Sequence, residues 1–304
     1  MMKDFLSILD CPREMLKDLL RSSAQLKSLY TVGGNDLCLN GKSLAMLFEK
    51  PSLRTRLSFQ VAMTDLGGHA IYVKPEDIGG IGKREPIKDI ARVLSRYVHG
   101  IMARTFEHKT ITELADYANV PVINALTDWA HPCQAMADVL TIQEHFKDTE
   151  NVMIAFIGDG NNVARSLALA CAKLGMKIVI ASPAGYELDA ETIEKANEIS
   201  NNSVRQTNDP KAAVTNANVI YTDTWVSMGQ EDEKQKRQED FAGFQVNSEL
   251  VKAASAGAKI MHCLPAYRGY EITDEVAESP NSIMFDQAEN RLHFQRALLK
   301  KLMC

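Results

Sequence analysis

The stretch Phe48–Leu57, FEKPSLRTRL, sets Arg54 and Arg56 in what reads as the first turn of a helix. Pro51 ends the preceding strand and Ser52 is a good N-cap type. A helix start already carries partial positive charge from its unpaired N–H groups, so cations are favoured at the opposite end. An anion would resolve the conflict. Free amides, an arginine fork, and the Ser52 and Thr55 hydroxyls together suit phosphate oxygens. A plain serine cap with solvated arginines is the competing reading, and this pattern alone does not separate the two.

Other polar residues follow predicted strands in the same way. Arg104 ends GIMAR, and His131 and Gln134 open the helix after PVINAL. A neutral histidine and a glutamine suit a carbonyl oxygen and an amide nitrogen. Three successive strand ends offering phosphate- and carbonyl-type contacts weigh more than any one. Gly158–Asn162, GDGNN, resembles a dinucleotide turn but has Val163 at the third glycine position. The next strand ends in Ala181-Ser182-Pro183, with no acidic residue for a ribose, which argues against a nicotinamide cofactor. Asn161 and Asn162 remain as uncharged hydrogen-bonding groups, one of them a helix cap. Asp223 ends VIYT and could hold an ammonium group or simply cap a loop. Ser227, Met228 and Gly229 then lead into QEDEKQKRQED, a solvated loop or helix and a lid candidate. Cys263 follows the strand AKIM, whereas Cys171 falls inside a helix.

The elements that position these residues alternate. After a helix read over residues 1–30, strand and helix alternate to about residue 146; KDTEN interrupts, and a second alternating series follows, closed by a helix from Asp286 to Lys300. Such alternation predicts two open parallel-sheet α/β domains joined by interdomain helices, with an active site in the cleft between them at the strands' carboxyl ends. The boundaries expected are 1–147 and 148–285, with 286–304 packing back on the first domain. The 304 residues, 45% hydrophobic and 24% charged with net charge −5, fit a globular protein and not a general nucleic-acid binder. No apolar run is long enough for a membrane span, and no signal peptide is read. Six scattered cysteines without CxxC spacing read as reduced thiols of a cytoplasmic protein.

FEKPSLRTR, MART, HPCQ, GDGNN, DTWVSMG, HCLP and FDQAENRLH stand in the order found in ornithine carbamoyltransferases, and the chain resembles that family from about Phe48 to Arg291. The resemblance implies transfer of a carbamoyl group from carbamoyl phosphate to the δ-amine of L-ornithine, giving citrulline and phosphate. It implies no cofactor and no metal. It places carbamoyl phosphate on Ser52, Leu53 (through its backbone), Arg54, Thr55, Arg104, His131, Gln134, Cys263, Leu264 and Arg291. It places L-ornithine on Asn162, Asp223, Ser227 and Met228. Arg104, His131, Asp223 and Cys263 would be the catalytic residues. It also implies a homotrimer, or a multiple of trimers, with shared sites, and a place in arginine metabolism, with biosynthesis expected and an anabolic against a catabolic role left open by the sequence.

Two departures stand out. Many relatives have threonine where this chain has Leu53, and some place a glutamine in the loop that here reads GGIGKREP, leaving Lys83 or Arg84 as the substitute. Two alternatives stay open: a carbamoyltransferase for putrescine or N-acetylornithine, or a non-catalytic binding protein on the same fold.

Overall fold

The computed structural model describes residues 3–227 and 229–304. It divides into two units, Met1–Leu140 with Glu289–Cys304, and Thr141–Ala288. Among the described residues no helix is long and apolar enough to cross a membrane.

The first unit runs α1 (Arg13–Thr31), β1 (Ser43–Phe48), α2 (Leu53–Asp65), β2 (His69–Val73), α3 (Pro75–Ile78), α4 (Ile87–Tyr97), β3 (Gly100–Arg104), α5 (His108–Tyr117), β4 (Val122–Leu126) and α6 (Pro132–His145). Its four strands are parallel in the order β2-β1-β3-β4. The nearly continuous apolar runs of β1, β3 and β4 match strands covered on both faces. Ala45, Leu47, Ile101, Ala103, Ile111 and Leu114 are part of the core on one of these faces. The chain leaves β1 toward β2, then returns to β3 on the other side. The strand order therefore reverses between β1 and β3, where open α/β sheets form a crevice at their carboxyl ends. Phe48 of β1 pairs with Arg104 of β3 at that end.

The second unit contains β5 (Met153–Ile157), α7 (Asn162–Leu174), β6 (Lys177–Ala181), α8 (Ala190–Ile199), β7 (Val204–Thr207), α9 (Pro210–Val214), β8 (Val219–Thr222), a 3-10 turn (Glu231–Glu233), α10 (Lys234–Asp240), α11 (Ser248–Lys252), β9 (Lys259–His262) and α12 (Asp274–Ala277). Helix α13 (Met284–Met303) begins here and continues as the last segment of the first unit. The sheet is parallel, ordered β7-β6-β5-β8-β9, and reverses between β5 and β8. Both expected parallel sheets are thus present.

Three expectations need correction. The first helix does not begin at the N-terminus: Pro12 caps α1, and Phe5 instead lies along β4. Phe5 N–H donates to the Val122 carbonyl and its own carbonyl accepts from Asn124 N–H. Strand β7 was not anticipated because Arg205 and Gln206 are exposed on an edge strand bonded to β6, which leaves no apolar run to read. Nor are all six cysteines thiols. Cys38 and Cys304 form a disulfide with Cα atoms 6.1 Å apart, fastening the end of α13 to the segment before β1.

The glycine-rich turn after β5 has a packing reason. A Cβ at Gly160 would lie 2.2 Å from the Leu188 amide nitrogen and 2.4 Å from the Glu187 carbonyl carbon. Gly160 N–H also donates to the Tyr186 carbonyl at 2.8 Å, so two backbone segments are held in direct contact. Because backbone cannot step aside as a side chain can, Gly160→Ala should destabilise the protein by roughly 3 kcal/mol or more in denaturant unfolding. An unchanged unfolding midpoint would show that residues 187–188 yield.

Candidate active site

At the start of α2 the Ser52 Oγ accepts from Thr55 N–H, as a capping serine does. Ser52 Oγ–H in turn donates to Thr55 Oγ1 at 3.1 Å. Two guanidinium groups converge on the same hydroxyl: Arg104 Nη1 at 3.5 Å and Arg291 Nη2 at 3.3 Å. Arg104 and Arg291 are buried, and Thr55 is almost wholly so. Arg291 Nη1 also donates to Gln134 Oε1 at 2.6 Å, while Gln134 Nε2 donates to Asp138 Oδ1 at 2.8 Å. The Gln134 amide is therefore held in one orientation, with one N–H left for a further acceptor.

His131, at the start of α6, is buried within this set. Burial holds its pKa well below the usual 6.5, and the charges of Arg291, Arg104, Lys50 and Arg54 press it further down. The imidazole is neutral at physiological pH and offers a hydrogen bond without adding charge. The first unit thus gathers a helix N-terminus, hydroxyls, four cations and a neutral histidine, which is an environment for a doubly charged anion next to a polar carbonyl.

The structure places the remaining residues of the loop as follows. Leu53 turns its side chain outward, 71% exposed, so its amide alone faces the helix start. The missing hydroxyl noted in the sequence thus sits at a position directed away from the cradle. Arg56 stacks on the Tyr72 ring at 4.0 Å and donates to Gln60, which gives it a structural role. Lys83 and Arg84 are exposed on the loop before α4.

A second cluster forms in the other unit at the reversal between β5 and β8. Asp223, buried at the end of β8, accepts three hydrogen bonds: Cys263 Sγ–H at 2.9 Å and Thr224 N–H at 2.8 Å on Oδ1, and Asn161 Nδ2 at 3.0 Å on Oδ2. Asn161 both caps α7, accepting from Val163 and Ala164 N–H, and fixes the carboxylate. Asn162, the residue expected here, occupies the first turn of α7. Ser227 N–H donates to Gln230 Oε1. Met228 lies outside the described residues.

The HCLP segment is fixed from behind. His262 Nδ1 accepts from Leu264 N–H at 2.8 Å, which leaves Nε2–H to donate to Glu271 Oε1 at 3.0 Å. Both residues are fully buried. Leu264 has φ of 59°, an uncommon region for a bulky residue, so its backbone is held by its surroundings. The donor atoms of Asp223, His262 and Cys263 lie within 4.8 Å of one another. However, both ring nitrogens of His262 are engaged, which leaves no imidazole lone pair for an ion. Of the free thiols, Cys263 is partly exposed, whereas Cys133 is buried and its pKa is pushed up to about 12. Cys133 is thus a packing residue.

Sequence reasoning missed Lys50, Asp138, Glu271 and Arg237. Asp138 was recoverable, standing four residues after Gln134 on a predicted helix. Glu271 lies outside any recognisable motif. Arg237 sat in a charge run read as solvated, yet it is buried, donating to Asp159 Oδ2 at 2.8 Å, the Trp225 carbonyl at 3.0 Å and Glu233 Oε2 at 2.8 Å. It pins α10 to the turn after β5.

Comparison with known proteins agrees with this architecture. The model for the carbamoyl-P binding domain of aspartate/ornithine carbamoyltransferase matches residues 3–144, and that for the Asp/Orn binding domain matches residues 150–302. An ornithine carbamoyltransferase of Methanosarcina mazei is 52% identical over 303 residues, covering all of both chains. One of Pyrococcus furiosus, described as anabolic, is 49% identical over 99% of this chain and 96% of its own. The solved structure of ornithine carbamoyltransferase from P. furiosus superimposes with a TM-score of 0.96, covering 99% of this chain and 97% of its own. Matched in both halves and along its full length, this chain belongs to the aspartate/ornithine carbamoyltransferase family.

Proposed function

We propose that the protein transfers the carbamoyl group of carbamoyl phosphate to the δ-amine of L-ornithine, giving L-citrulline and phosphate. The observation that carries this reading is the convergence of Arg104 and Arg291 on Thr55 at a helix N-terminus beside a neutral, buried His131. The anabolic relative supports a place in arginine biosynthesis.

In this reading the phosphate rests on the α2 amides from Leu53 onward with Ser52, Arg54 and Arg104. Thr55, Arg104 and His131 polarise the carbamoyl oxygen, and Gln134, oriented by Arg291 and Asp138, receives the carbamoyl amide. L-ornithine is taken by Asp223, with Asn162, Ser227 and Met228 as further contacts, and Cys263 and Leu264 complete the lining. The neutral δ-amine attacks the carbonyl carbon, and the oxyanion that forms is stabilised by Thr55, Arg104 and His131. The bond between the carbamoyl carbon and the bridging phosphate oxygen then breaks, phosphate departs with that oxygen and the nitrogen sheds one proton, with the Asp223–Cys263 pair as the proposed guide. The reaction so written calls for no cofactor or metal. Its acceleration comes from positioning and charge stabilisation, without a covalent enzyme intermediate.

A homotrimer is the proposed assembly. Leu53, Leu57 and Val61 are exposed at helical spacing on α2 and form an apolar stripe suited to a second copy of the chain. Lys83 and Arg84 are the groups that could reach a neighbouring site. Sedimentation should give three times 33.7 kDa or a multiple of it, and a monomer would refute this.

Citrulline formation assayed with ornithine, and carbamoylation of putrescine and N-acetylornithine alongside, should show a clear preference for ornithine. Preference for either rival would overturn the assignment. Arg54→Ala should weaken carbamoyl phosphate binding by about 1.5–3 kcal/mol, the worth of a charge-assisted contact. Calorimetry showing wild-type affinity would remove Arg54 from the phosphate site.

A further inference from the structure

Beyond Arg291, helix α13 is fastened to the first unit by a series of contacts. Arg296 is buried and donates from Nη1 to the Leu26 carbonyl at 3.2 Å. Lys300 Nζ donates to Asp36 Oδ2. Met303 is buried, and a Cβ added at Gly100 would lie 2.9 Å from its sulfur. The last turn ends in Cys304, whose N–H donates to the Lys300 carbonyl at 3.1 Å and whose sulfur is bonded to Cys38. Cys38 is held by the residue after it: Leu39 is fully buried, and its N–H donates to the Leu66 carbonyl at 2.8 Å. The disulfide thus joins a docked segment to a docked helix end. Cys304 is exposed and Cys38 half-buried, whereas Cys11, Cys133 and Cys171 are buried and Cys263 donates to Asp223. A disulfide with an exposed sulfur is open to attack by small thiols, and exposed disulfides are the labile, regulatory ones.

We propose that Cys38–Cys304 is a reversible redox staple, closed by exchange with a small-molecule disulfide and opened by small thiols, which sets how firmly the end of α13 is held. Closure begins with the Cys304 thiolate, on the exposed chain end, attacking a disulfide such as that of glutathione. One glutathione thiolate leaves, and a mixed disulfide remains on Cys304. The Cys38 thiolate then attacks the Cys304 sulfur, and the second glutathione leaves. Two protein thiols are oxidised, one glutathione disulfide is reduced to two thiols, and the protons lost by the cysteines end on glutathione. Opening reverses the same steps. The closed bond joins residues 266 positions apart, so it removes much of the freedom of the unfolded chain. In the open state Arg296, Lys300 and Met303 still dock the helix, so the fold persists and only the last turn is released.

The test is equilibration of the full chain in mixtures of reduced and oxidised glutathione, followed by thiol counting in denaturant and by thermal unfolding. The oxidised protein should show four free thiols and the reduced protein all six, the two forms interconverting without unfolding. Oxidation should raise the unfolding midpoint by roughly 5 °C or more. Hydrogen exchange should localise the difference: on reduction the amides of the last turn of α13 should exchange roughly tenfold faster, with those of β3 unchanged. Cys304→Ser, which alters only the exposed chain end, should match the reduced wild type in every mixture. Six thiols under oxidising conditions would overturn the proposal, because the bond does not form. Four thiols that persist under reducing conditions would overturn it too, because the bond is then a permanent link. A midpoint that does not respond to oxidation, or responds equally in the wild type and Cys304→Ser, would show that this pair does not set the hold on α13.

Discussion

Like charge gathered at one helix N-terminus is the constraint around which the first unit is arranged. Arg54, Arg104, Arg291 and Lys50 all act on His131, and Arg104 and Arg291 share a single hydroxyl. Such a set of like charges calls for a countercharge. Two unit charges 4 Å apart repel by about 4 kcal/mol at an effective dielectric of 20. The apolar core of β1, β3 and their helices must hold these groups in place, because the groups themselves would separate. An anion offsets that repulsion, which is the physical origin of the affinity for a dianion.

The placement of the chemistry follows from strand order. In each sheet the chain sets off to one side of a central strand and later returns on the other. Ser52 follows β1 and Arg104 ends β3; Asn161 follows β5 and Asp223 follows β8. Each pair flanks a reversal, where loops from adjacent strands diverge and leave a crevice. Within each unit, fixing contacts stand behind its own reversal. Asp138 and Arg291 fix Gln134, Asn161 fixes Asp223, and Glu271 fixes His262, which in turn bonds the Leu264 amide. Arg237 extends the same device to α10.

Residues at strand ends were legible in the sequence because a polar side chain just after an apolar run can be assigned to a sheet edge by counting. Ser52, Arg104, His131 and Asp223 all fall in this class. Arg291 does not: it meets Thr55 across 236 positions, and no local pattern announces that meeting. Glu271 is hidden for the same reason. Asn161 and Asn162 were interchangeable in sequence, and cap geometry separated them. Periodicity misled at the N-terminus, where apolar residues at helical spacing include Phe5, which pairs with β4 instead, and Pro12 marks where helix becomes possible. Strand β7 was invisible because an exposed edge strand need not be apolar. The Cys38–Cys304 bond joins residues 266 apart, a pairing that spacing alone does not reveal.

The most direct measurement is a crystal structure with a bisubstrate analogue in which a phosphonate is joined to the δ-nitrogen of ornithine through an acyl group. The account predicts phosphonate oxygens on the α2 amides, Arg54 and Arg104, the acyl oxygen facing Thr55 and His131, and the amino-acid portion on Asp223. A phosphonate bound away from the α2 N-terminus, with Arg104 and Arg291 still closed on Thr55, would contradict it.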